Sequence, residues 1–246
     1  MPGPGTGSGC PLPGRRPFGY TSTSGREETN VNRKILGLAG LLATGLLASG
    51  LTGSVTPAAA QTAAPAATPS AADRLGDRVL GDPNAPVTIL DYSSMTCPHC
   101  ATFHTTVLPQ IKEKYIDTGK VKLIFRDFPF DQAALRASQI ARCAPAERYY
   151  PLLDVMFKNQ GQWTRAADPA KALSQYGKLA GMSQQTIDSC IADKALEDSI
   201  LTSRMTGEQQ HKIEATPTFI LNDGKERIEG AQSFETFAKA IDKLLK

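Results

Sequence analysis

Apolar and polar positions along this chain follow two periods, and the changes between them mark out its elements. Val87-Thr88-Ile89-Leu90-Asp91-Tyr92 is β-branched and apolar and reads as a strand, introduced by the turn cluster Gly81-Asp82-Pro83-Asn84-Ala85-Pro86. From Cys97 the apolar residues Phe103, Val107, Leu108 and Ile111 recur at helical spacing, with Pro109 predicting a kink and Gly119 a stop after Asp117. Strand character returns over Val121-Lys122-Leu123-Ile124-Phe125. A strand, a helix and a strand within ~40 residues predict a βαβ unit with parallel strands.

Residues 131–213 contain no convincing strand. Tyr149, Leu152, Leu153, Met156 and Phe157 form one helical stripe, Asp168-Pro169 reads as an N-cap with proline at the first helical position, and Gly181 as a stop. Ser183 caps a further helix carrying Ile187 and Cys190. Pro217-Thr218-Phe219-Ile220-Leu221 is a third strand, Asn222-Asp223-Gly224 a hairpin turn, and Lys225 to Glu229 a fourth strand. Ser233 then caps a last helix with Phe234, Phe237, Ile241 and Leu244 on one face. The pattern predicts an α/β fold of order βαβ, all-helical insert, ββα.

The first part of the chain belongs to none of these elements. Residues 1–32 are rich in Gly, Pro, Ser and Thr, after which Arg33 and Lys34 precede the uncharged run Ile35 to Leu51. That is a signal-peptide pattern, with Ala58-Ala59-Ala60 as the small residues before a cut at Gln61. The alternative is an uncleaved anchor, since the uncharged run approaches the ~20 residues that span a bilayer. The domains read from the sequence are therefore 1–60, extension and signal; 61–72, a flexible Ala/Pro/Thr linker; and 73–246, the folded domain. Five basic residues against Glu27 and Glu28 give residues 1–60 the whole net charge of +3. The rest is balanced and has no basic stripe with interleaved aromatics, which argues against nucleic acid as a partner.

Of the five cysteines, Cys10 precedes the signal and is lost on cleavage, leaving Cys97, Cys100, Cys143 and Cys190. In Cys97-Pro98-His99-Cys100 two thiols stand at a spacing that opens and closes a disulfide without moving the backbone. A helix N-terminus beside them favours the thiolate, the reactive form. With that local pair set aside, Cys143 with Cys190 is the natural second bridge in an oxidising compartment, two buried free thiols being the alternative. Cys97, Cys100 and His104 could supply three zinc ligands, but no fourth is evident, so no metal site is expected. Haem attachment fails because residue 101 is Ala.

From about Val79 to the C-terminus the chain resembles the DsbA-like thiol:disulfide oxidoreductases of bacterial envelopes. The resemblance rests on Cys97-Pro98-His99-Cys100, on Ala215-Thr216-Pro217-Thr218, on the helical insert between them and on Arg126-Asp127-Phe128-Pro129. It implies a thioredoxin-like fold in which Cys97 is the exposed nucleophile, Cys100 the buried resolving thiol, and Pro98 and His99 the dipeptide that tunes them. The His99 ring N–H is expected to face the Cys97 thiolate. Thr216-Pro217 matches the family's cis-proline loop, which pairs with the substrate backbone. Asp91, six residues before Cys97, matches an acidic residue behind the disulfide and is expected to relay the Cys100 proton. His104 replaces an acidic residue of the best-known member and is expected on an exposed helix face.

The resemblance further implies a monomeric periplasmic or envelope enzyme whose cofactor is its own Cys97-Cys100 disulfide. Its partners would be folding exported proteins with free thiols and a DsbB-like, quinone-linked membrane reoxidant. A disulfide isomerase or reductase on the same fold is the alternative.

Overall fold

The computed structural model describes residues 69–246. The signal pattern, Cys10 and linker residues 61–68 lie outside the described residues. Order begins inside the range assigned to the linker: helix α1, Ala71–Leu75, is closed by a capping box in which Ser70 and Asp73 satisfy each other's backbone N–H groups. Composition misled here, because an Ala-rich segment is a good helix former once a cap is available.

The two-residue strand β1, Val79–Leu80, leads to β2, Val87–Ser93. Helix α2 then runs over 98–116, followed by β3, Val121–Asp127. The insert comprises α3 (Gln132–Cys143), α4 (Ala146–Lys158), α5 (Gln160–Trp163), α6 (Pro169–Leu179), α7 (Gln184–Ala192) and α8 (Lys194–His211). Strands β4, Thr218–Leu221, and β5, Glu226–Glu229, precede the terminal helix α9, Phe234–Leu244. Ser233 stands at the N-cap of α9, but its hydroxyl makes no capping bond.

The strands form one sheet of order β1-β3-β2-β4-β5, in which β2 and β3 are parallel and the other pairs antiparallel. β1, too short to register as a period, is the edge element that the sequence pattern lacks. Central β2 is hydrogen-bonded on both sides: Asp91 lies opposite Phe125 of β3 and Phe219 of β4. Successive side chains alternate across a sheet, so Val87, Ile89, Asp91 and Ser93 share one face. That face carries Phe103, Val107 and Ile111 of α2 with Phe237 and Ile241 of α9.

Helix α2 is not a uniform α-helix. Its α-helical pieces Pro98–Thr102 and Leu108–Ile111 are each followed by a wider π turn, Phe103–Val107 and Lys112–Ile116. Pro109 has no N–H to offer the carbonyl four residues back, and the helix meets this by widening ahead of it: Leu108 N–H bonds the Phe103 carbonyl. The helix ends beside Gly119, whose φ of +72° suits glycine.

The insert is tied to the sheet by specific bonds. The Tyr150 hydroxyl on α4 donates to the Arg78 carbonyl at 2.7 Å and accepts from the Phe125 N–H at 3.3 Å. Buried Arg142 pairs with Asp127 and donates to the carbonyls of Arg74 and Gly76, fastening α1. Gly207 lets α8 lie on the sheet, since a Cβ there would meet the Tyr92 ring at 2.7 Å.

Candidate active site

The chain leaves β2 at Ser93 and turns through Ser94 to Thr96, so the first turn of α2 stands at the end of the central strand. Cys97 is the N-cap, Pro98 fills the first helical position where an N–H has no partner, and Cys100 completes the turn. The loop is held from the insert. Gln160 of α5, itself buried, donates from Nε2 to the carbonyls of Met95 and Cys97, both at 2.9 Å. The Thr96 hydroxyl donates to Asp131 at 2.6 Å, at the cap of α3.

Cys97 and Cys100 are free thiols of unequal environment: Cys97 is partly exposed, and Cys100 is completely buried. The Cys97 thiol is pulled down to about 5, first by hydrogen bonding from the Cys100 thiol, with burial opposing. The Thr216 hydroxyl and the N–H groups of Cys100 and His99 add to the shift. Those N–H groups face the sulfur without making a full capping bond. Burial pushes Cys100 far above the ordinary thiol range, and the neighbouring Cys97 sulfur adds to the shift. Only one of the two is therefore a thiolate at neutral pH, and it is the one that solvent reaches.

His99 departs from expectation. Its ring is exposed and makes no hydrogen bond to Cys97; the residue serves the sulfur through its backbone N–H. Its position in the first turn explains this, because the amide there points along the axis toward the cap and the side chain points outward.

Across from the thiols the Thr216–Pro217 peptide bond is cis, and the Cys97 sulfur lies 3.3 Å from the Thr216 carbonyl oxygen, to which it donates only in its protonated form. The Thr216 hydroxyl is buried and has no full hydrogen-bond partner. β4 starts at the next residue, so the loop is anchored to β2 through the pair Tyr92 and Thr218.

Behind Cys100 lies a buried polar chain. The Ser93 hydroxyl sits beside the Cys100 sulfur and donates to Asp91 at 2.5 Å; the other Asp91 oxygen meets His104 Nε2 at 2.9 Å. Asp91 has no exposed surface and His104 only 3%. The expectation of an exposed His104 is thus overturned: its ring stacks on Phe157 with centroids 4.1 Å apart and meets Phe103 edge to face. A polar residue type had suggested the solvent face, whereas the helical phase set by Phe103, Leu108 and Ile111 turns position 104 inward.

Cys143 and Cys190 are joined by a disulfide that links α3 to α7. Among the described residues no cluster of three or more His, Cys, Asp or Glu side chains is arranged to hold a metal ion. No helix among them is long and apolar enough to cross a membrane.

A family model described as Thioredoxin matches residues 73–243. The crystal structure of Wolbachia pipientis α-DsbA1 is 35% identical, with a TM-score of 0.64 over 69% of this chain and 91% of that one. The chain belongs to the DsbA-like branch of the thioredoxin family. Its fold is accordingly the thioredoxin-like α/β fold with a helical insert. This DsbA-like chain is also 30% identical over 175 residues to a Rickettsia bellii protein named as a protein-disulfide oxidoreductase, covering 69% of this chain and 65% of that relative. Bacillus subtilis disulfide bond formation protein D is 27% identical over 183 residues, which cover 70% of this chain and 78% of that protein. The DsbA-like chain spans 60% to 65% of the length of the Rickettsia relatives it matches.

Gln160 is the residue of this site that sequence reasoning missed. It contacts the loop across more than 60 positions and carries no motif, so only the folded arrangement of α5 against the loop reveals it.

Proposed function

We propose that this DsbA-like oxidoreductase works as a dithiol oxidase of the cell envelope, donating its Cys97-Cys100 disulfide to exported proteins. The observation that carries the reading is the split in acidity between the accessible Cys97, near 5, and the buried Cys100, pushed far upward. A depressed Cys97 thiol makes the reduced enzyme the more stable partner of the redox couple, so the disulfide passes readily to other thiols.

In the forward reaction a client thiolate attacks the Cys97 sulfur. The Cys97–Cys100 bond breaks, its electron pair stays on Cys100, and Cys100 takes up a proton. A second client thiolate then attacks the client's own sulfur in the mixed disulfide, and Cys97 leaves as the thiolate. The client is oxidised by two electrons and the enzyme reduced by two. The Thr216-Pro217 loop would hold the client backbone beside Cys97. Export follows from the basic-then-apolar segment at Arg33 to Leu51, and reoxidation of the monomeric enzyme by a DsbB-like quinone-linked membrane protein from the resemblance.

The test is the equilibrium reduction potential of Cys97/Cys100, titrated against glutathione. A value near roughly −120 mV establishes the oxidase, and one near roughly −270 mV replaces it with a reductase.

A further inference from the structure

The amide of Gln160 has more bonding capacity than the reactive loop consumes. Its two hydrogens go to the carbonyls of Met95 and Cys97, both at 2.9 Å. Both partners are carbonyl oxygens, which only accept, so the nitrogen is fixed on the loop side and the amide cannot be turned over. The oxygen is left over. Among the described residues no N–H or O–H donates to Oε1, yet it is not one of the buried atoms without a partner, so it stands in the 8% of Gln160 that is exposed.

The place of that oxygen follows from the bonds made by the other end of the group. The nitrogen and oxygen of one amide are about 2.2 Å apart, which puts Oε1 within about 5 Å of the Cys97 carbonyl oxygen. Cys97 is held between two elements: its carbonyl is bonded to Gln160 of α5, and its sulfur lies 3.3 Å from the Thr216 carbonyl oxygen ahead of β4. A chain joined to that sulfur therefore has the Thr216-Pro217 loop on one side and α5 on the other. In an extended chain successive residues present their N–H groups to opposite edges. A client that pairs one edge with the loop turns the N–H of the adjacent residue toward α5. Once the client covers this surface, an unpaired Oε1 loses its water without replacement, and a client N–H removes that cost.

We propose, resting on the thiol-disulfide exchange set out above, that Gln160 is a client-binding residue: Oε1 accepts a backbone N–H of the client beside the client cysteine, while Nε2 keeps Met95 and Cys97 in place. The client is then recognised by its main chain. An extended segment offers free N–H groups on both edges, whereas a cysteine inside a helix or a sheet has them already engaged. The amide that shapes the reactive turn thus selects thiols in unfolded chain.

The test uses dithiol peptides of one sequence in which the amide at the client cysteine or at either neighbour is replaced by an ester, removing one N–H. Together the three positions sample both edges. Each peptide is mixed with the oxidised protein, and acid-quenched samples are assayed for protein thiols to give the exchange rate. With Gln160 in place, an ester on the edge facing α5 should slow exchange about three- to tenfold, the range of one neutral hydrogen bond. In Gln160→Leu that slowing should vanish, while the slowing from an ester facing the Thr216-Pro217 loop persists. Each ratio compares two peptides on one protein, so loosening of the loop cancels. Gln160→Glu keeps an acceptor oxygen and has no N–H, and it should retain the slowing. If no ester loses its effect in Gln160→Leu, or if Gln160→Glu behaves as Gln160→Leu does, Gln160 only holds the loop and the proposal is overturned. Should neither variant fold, the unsubstituted protein decides: esters that slow exchange at both edges uphold the contact, and slowing confined to one edge overturns it. The reduction potential is read separately. A reducing potential with a Gln160-dependent ester effect sinks the oxidase reading alone, and an oxidising potential with an ester effect independent of Gln160 sinks the client contact alone.

Discussion

The unequal thiols give the reduced form of this protein a pH-dependent contribution to stability that the oxidised form lacks. In the reduced folded protein Cys97 titrates near 5, against an ordinary value of 9.0. Because the folded value is depressed, its contribution is complete above the ordinary value, shrinks as pH falls, and vanishes as pH drops through about 5. At pH 7 two units separate ambient pH from the folded value, a ceiling of about 2.7 kcal/mol. Cys97 is only half-buried, so solvent screening reduces this to about 1–2 kcal/mol. Expressed as a potential, that is about 20–40 mV toward the oxidising side for a two-electron couple. Cys100 stays protonated throughout, folded or unfolded, and contributes nothing to the slope. Denaturant unfolding of the reduced and oxidised forms, repeated between about pH 4.5 and about pH 8, isolates the term, since chain-entropy differences from the short disulfide loop do not vary with pH. The reduced-minus-oxidised difference should rise steadily with pH. A flat difference across that range would refute the assignment of Cys97 as a folded-state thiolate.

Two further outcomes follow from the surroundings of the thiols. Gln160→Leu strips the Met95 and Cys97 carbonyls of their partner and should cost about 1–3 kcal/mol in denaturant unfolding. It should also shift the pH dependence of Cys97 alkylation, and a variant with wild-type stability would mean that the loop holds itself. Replacing Cys143 and Cys190 together by Ala opens a loop with a separation of 47 residues. This should cost about 2–4 kcal/mol by the chain-entropy argument while leaving Cys97 alkylation unchanged, and an unaltered unfolding midpoint would contradict it.

Much of this architecture is legible from residue pattern because it is written in local terms. The β-branched and apolar run Val87 to Tyr92, the N-cap at Asp168 and the turn Asn222-Asp223-Gly224 are each fixed by neighbours a few positions away, and each lies where the pattern puts it. The cysteine dipeptide motif likewise falls at the strand end, on the first turn of a helix. What stayed hidden depends on distant partners. His104 shares its helical phase with Phe103, Leu108 and Ile111, so its burial was implicit in the periodicity. Its polarity masked that, since the compensating carboxylate lies on a strand 13 residues earlier. β1 gains its identity only from pairing with Val121–Asp127, and two residues have no period to detect. The His99 ring was assigned by residue chemistry, whereas the first helical turn turns its amide, and not its ring, toward the sulfur.

The pair of hydrogen bonds from Gln160 Nε2 to the loop carbonyls carries a lesson for anyone wishing to miniaturise this protein. The reactive turn is built by the sheet, but its main chain is shaped by a side chain that arrives with the helical insert. Excising 131–213 to leave a bare sheet-and-helix redox module would keep both thiols and the proline loop, yet remove the donor that holds Met95 and Cys97 in place. Shortened versions would have to graft a replacement amide at that spot, because the insert is part of the machine and not a lid resting on it.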